Sequence, residues 1–180
     1  KDFYSKFQGN TKIFIAPGNH DVGGVHFDSA LRDIFNLVHH KNQKDKSFPF
    51  KITLNKSPFI IGDSNSEENS LDEIILNIND EVTAKNIFVV IHHIFPEGLQ
   101  KYSNAQGRHG FIKDSYFEDK FNNNNNKVYF LYGDGGAFAD NPRFKCIKLA
   151  NSYHIVSGIG ELPGDTIFVI HDDNLYRMEI

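Results

Sequence analysis

Asn86-Ile87-Phe88-Val89-Val90-Ile91-His92-His93 is the stretch that decides how this chain is read. Ile87–Ile91 is continuously apolar and shows no alternation with polar residues. A strand with one wet face alternates, whereas a strand covered on both faces does not, and such strands belong to the parallel sheets of α/β proteins. The run is also far too short for the ~20 apolar residues that cross a bilayer.

Working outward, Lys127–Tyr132 (KVYFLY) has the same character, and so does Lys12–Pro17 (KIFIAP), which ends in a Pro-Gly turn. These runs are expected to be neighbouring buried strands of one sheet. Between them lie helical patterns. Leu71, Ile74, Ile75 and Ile78 make one apolar face, and Ser70 with Glu73 forms a capping box at its start. Leu31, Ile34, Phe35 and Val38 predict a second helix over Phe27–His40, and Lys113–Phe121 a short third one. Phe48–Leu54 alternates strictly and pairs with a strand at Phe59–Gly62; Pro49 points to an edge or a strand start. After Tyr132 the helices stop. Phe144–Leu149, Tyr153–Val156, Thr166–His171 and Leu175–Ile180 read as successive antiparallel strands.

Composition bounds the function. The chain has 180 residues, 39% of them hydrophobic and 23% charged, which suits one domain with a true core. The formal net charge of −4 disfavours nucleic acid as a partner, and no membrane-spanning segment is evident. One cysteine, Cys146, excludes an intrachain disulfide framework. Asn122–Asn126 is expected to be a solvated loop tip without a function of its own.

Three polar clusters each follow a buried strand: Pro17-Gly18-Asn19-His20-Asp21, His92-His93 and Gly133-Asp134-Gly135-Gly136. In α/β sheets the carboxyl ends of the strands open on one crevice, so these clusters are expected to be neighbours. Asn, His and Asp together suit a divalent transition metal. Each cluster also has a plain structural alternative: turn and N-cap chemistry for Asn19 and Asp21, satisfied edge histidines for the pair, and a simple turn for the glycines.

At these residues the chain resembles the calcineurin-like metallophosphoesterases, binuclear-metal phosphatases and phosphodiesterases. Gly18-Asn19-His20-Asp21 matches that family's G-N-H-[DE] block, and His92 matches its single His after a strand. The stretch Gly62-Asp63-Ser64-Asn65 also fits the family's pattern. The D-x-H and G-D-x-x-D blocks are absent, and Gly133-Asp134-Gly135-Gly136 stands where G-H-x-H is expected. The resemblance implies a four-layer α/β/β/α sandwich over residues 1–180, with the terminal strands forming a second sheet. It also implies that the chain is the C-terminal part of a longer protein, with the missing segment upstream or supplied as a separate chain.

By the same resemblance, one metal (Mn, Zn, Fe or Mg) takes Asn19, His92 and Asp134, the last replacing a histidine. The second metal loses its ligand at Gly136. His20 becomes the general acid toward the leaving group. Asp21 supports the ligand loop, and His93 either supports the ligands or, with the register shifted by one, is a ligand itself; His109 is a candidate substrate-loop residue with Arg108 as phosphate clamp, the plain alternative for both being a solvated loop. The implied activity is hydrolysis of a small phosphoester through a binuclear metal centre in the full-length protein; the compartment stays open, with the cytoplasm slightly favoured. The alternative is a catalytically degenerate binding module, favoured by Gly136 and the missing blocks.

Overall fold

The computed structural model describes residues 14–18, 47–65, 71–102, 110–135, 144–157, 166–171 and 174–179. Its centre is a six-stranded mixed sheet in the order β1-β2-β3-β4-β6-β5. The strands are β1 (Phe50–Leu54), β2 (Ser57–Ile61), β3 (Asn86–Ile91), β4 (Lys127–Tyr132), β5 (Phe144–Leu149) and β6 (Ser152–Ser157). A separate two-stranded hairpin pairs β7 (Thr166–His171) with β8 (Asn174–Glu179).

β2, β3, β4 and β6 run parallel, in the registers Phe59↔Phe88, Phe88↔Tyr129 and Tyr129↔Tyr153. β1 and β5 close the edges as antiparallel partners of β2 and β6. The two expected parallel neighbours, Asn86–Ile91 and Lys127–Tyr132, are therefore adjacent. Among the described residues β1 ends the sheet, in line with the edge position expected from Pro49.

Two helices serve as crossovers: α1 (Leu71–Asn79) from β2 to β3, and α2 (Asp114–Phe121) from β3 to β4. Leu71, Ile74, Ile75 and Ile78 are the buried face of α1, as the periodicity predicts. They share a core with Ile60, Val89 and Ile91, and the same core takes Phe117 and Phe121 of α2 against Phe130. Both helices thus cover one face of the sheet. On the opposite face Phe14, Ile15 and Ala16 pack with Phe48, Phe50 and Ile61. There a row of stacked rings crosses the parallel strands: Phe59 on Phe88 at 4.9 Å, Phe88 on Tyr129 at 5.2 Å and Tyr129 on Tyr153 at 5.0 Å.

Three expectations are corrected. Residues 14–17 form no strand; the place beside β3 belongs to β2, whose hydrogen-bonding edge the hairpin with β1 already orients. Phe14 and its neighbours instead serve as apolar cover, which their sequence satisfies equally well. Secondly, β5 and β6 do not begin a second sheet. β6 pairs with β4 in parallel and extends the first one, because its inward positions Ser152, His154 and Val156 complete the helix-facing side. Thirdly, the asparagine run is a loop but not all of it is solvated. Asn126 is buried and donates its amide to the Glu81 carbonyl, and Asn151 donates to the Asn124 carbonyl. The predicted helix at 27–40 and the Ser70 cap lie outside the described residues.

Candidate metal centre

Because β2, β3, β4 and β6 are parallel, their carboxyl ends lie on one rim of the sheet. Three of those ends carry polar loops: Asp63-Ser64-Asn65 after β2, His92-His93 after β3 and Gly133-Asp134-Gly135 after β4. Backbone bonds knit the last two together. The His92 carbonyl accepts the amides of Gly133 at 3.2 Å and Asp134 at 3.1 Å.

That backbone grip brings two of the predicted ligands face to face. His92 Nε2 stands 3.6 Å from Asp134 Oδ1, with both side chains largely buried. The gap exceeds a hydrogen bond of 2.7–3.2 Å. Two donors bound at ~2.1 Å to one tetrahedral ion stand about 3.4 Å apart, close to the observed separation. An imidazole nitrogen and a carboxylate oxygen are also suitable donors for a Zn²⁺-like ion. Among the described residues no cluster of three or more His, Cys, Asp or Glu side chains has metal-holding geometry. The convergent unit is therefore the His92–Asp134 pair. Asn19, His20, Asp21, Arg108 and His109 lie outside the described residues.

The glycines around Asp134 have distinct reasons. A Cβ on Gly133 would meet only His92 Nδ1, at 3.4 Å. A Cβ on Gly135 would overlap Val156 Cγ1 and press on the Ser157 backbone at 3.3 Å. Gly135 is thus required by the close approach of its loop to β6, and its amide donates to the Ser157 carbonyl at 3.4 Å.

His93 is turned into the protein, 3% exposed, and bonds to β2's loop. Its Nδ1 lies 2.7 Å from Ser64 Oγ, and its amide donates to the same oxygen at 3.0 Å. Its ring meets that of His92 edge-on, with centroids 4.8 Å apart. In the same turn, the Asn65 side-chain amide donates to Asp63 Oδ1 at 2.9 Å and to the Pro17 carbonyl at 3.0 Å. Pro17, which directly precedes Gly18-Asn19-His20 in the chain, is thereby held at this rim.

A buried polar chain stands behind the rim and was not singled out from the sequence. Tyr132 Oη lies 2.9 Å from His154 Nδ1, and His154 Nε2 lies 2.9 Å from Ser152 Oγ. Ser152 donates its proton to the Leu149 carbonyl at 2.7 Å. His154 Nε2 is therefore the donor to Ser152, and Nδ1 accepts from Tyr132, a neutral Nε2–H tautomer. The Tyr132 oxygen also takes a backbone bond from Phe95, while burial raises its pKa well above the usual value. Burial pushes the His154 imidazole down to about 3. The clue in the sequence was that Ser152 and His154 share the inward side of β6 with Val156.

No protein-family model, curated protein or solved structure matches this chain. Among the described residues, no helix is long and apolar enough to cross a membrane.

Proposed function

We propose that this chain carries part of the metal site of a phosphoester hydrolase, a phosphatase or phosphodiesterase acting on small substrates. The observation that supports it is the His92–Asp134 pair, 3.6 Å apart at the carboxyl ends of adjacent parallel strands. The Asn19–Asp21 block follows Pro17, whose carbonyl is tied to the same rim.

In this reading Asn19, His92 and Asp134 hold one divalent ion, of the Mn, Zn, Fe or Mg type. Such an ion, when bound, would polarise phosphoryl oxygens and lower the pKa of a coordinated water. His20 gives a proton to the leaving alkoxide, the role an imidazole fills near neutral pH. Asp21 steadies that loop, Arg108 clamps the phosphate, and His109 belongs to the substrate loop. The aromatic row Phe59, Phe88, Tyr129 and Tyr153 fits the inner face of a four-layer α/β/β/α sandwich.

A second reading, a binding module without turnover, draws on Gly136, which has no side chain where the resemblance calls for a histidine. Assay of Mn²⁺- or Zn²⁺-loaded protein on an aryl phosphodiester and monoester separates the two. Turnover abolished by His20→Ala and by His92→Ala supports the hydrolase. Metal binding without turnover supports the module.

A further inference from the structure

We propose that Ser64 is a positioning residue for the His92 ligand, acting through His93; this rests on the metal reading above. One hydroxyl makes two contacts with one residue: the His93 amide at 3.0 Å and the His93 ring nitrogen at 2.7 Å. Both partners are buried, Ser64 at 0% and His93 at 3% exposure. The amide that Ser64 grips belongs to the peptide joining His92 to His93. The ring that it grips is the one whose edge meets the His92 imidazole at 4.8 Å. The end of β2 therefore sets both the backbone and the ring wall that orient His92.

The same turn reaches the other ligand loop. Asn65, braced on Asp63 by two bonds of 2.9 Å, donates to the Pro17 carbonyl. Asp63, Ser64 and Asn65 are all buried, which removes solvent as a competitor for these bonds. A hydrophobic strand end would need none of this. Groups that orient a metal ligand from behind typically change affinity 10–100-fold when removed.

The test is Zn²⁺ titration of the whole chain, followed by calorimetry and by the ring signals of His92 in NMR. Ser64→Ala and His93→Asn should each weaken Zn²⁺ binding about tenfold or more. Ser64→Thr, which keeps the hydroxyl, should bind within about twofold of wild type. Ser64→Ala should also split or broaden the His92 ring signals before metal is added. Phe117→Leu, a core change away from the rim, controls for loss of stability and should leave affinity unchanged. Zn²⁺ binding lost in His92→Ala but unaltered in both Ser64→Ala and His93→Asn overturns the positioning role alone. Absence of Zn²⁺ binding by the wild-type chain overturns the metal reading and this inference with it.

Discussion

Asp134 is joined to His92 twice: its amide donates to the His92 carbonyl at 3.1 Å, and its carboxylate stands 3.6 Å from the His92 imidazole. The first contact is a property of the backbone and survives any side-chain change. Asp134→Asn, which keeps the size of the side chain and the backbone bond, is therefore expected to keep the fold, as urea unfolding would show. It should nevertheless bind Zn²⁺ more weakly, because it loses the anionic donor. Binding should also weaken on acidification, since the ligands must shed protons to coordinate. Calorimetric titration at two pH values checks both statements; unchanged affinity in Asp134→Asn would remove the carboxylate from the site.

The two glycines of that loop should separate cleanly. Gly135→Ala forces its new methyl into Val156 and the Ser157 backbone. The expected cost is about 1–3 kcal/mol, as for other overpacked sites. Gly133→Ala meets only the His92 ring edge and should cost far less. Urea unfolding of the two variants side by side measures the difference.

Stability should fall with acidification because of His154. Its folded value is depressed to about 3 from the ordinary 6.5, so the unfolded chain takes up the proton first. The stabilisation is complete above pH 6.5 and is lost progressively as pH falls from there toward 3. By linkage, about 2 kcal/mol should disappear between pH 7 and pH 5 from this residue. In His154→Leu the pH dependence of the urea midpoint over that window should flatten. An unchanged slope would mean that the imidazole is not the titrating group.

Tyr132→Phe removes the hydroxyl that His154 Nδ1 and the Phe95 backbone both use. Two buried groups are left unsatisfied, with an expected cost of about 2–4 kcal/mol. Phe130→Ala should cost about 3–5 kcal/mol, since its fully buried ring packs on Phe117, Phe121 and His154. A thermal shift for either variant within error of wild type would contradict the packing described.

Much of the fold was legible in the order of residues. The Ile87–Ile91 run and the 71–78 periodicity correspond to a buried strand and to a helix with that inner face. The Asp134–His92 pairing was also foreseeable, since both follow strands that a parallel sheet aligns. Lys12–Pro17 shows where such reasoning stops. Its described part, 14–17, has the composition of a strand, yet it supplies apolar cover to Phe48 and Phe50.

Periodicity is a property of neighbouring residues, and the sequence alone determined that Ile87–Ile91 extends, that 71–78 coils and which face of that helix is apolar. Which strand pairs with which is decided by contacts between distant residues, and only the tertiary structure could place β6 beside β4 in parallel. The same holds for the rim. Sequence supplied a serine after β2 and two histidines after β3. The 2.7 Å contact of Ser64 with His93, and the 3.6 Å gap between His92 and Asp134, exist because parallel pairing brings three strand ends to one edge.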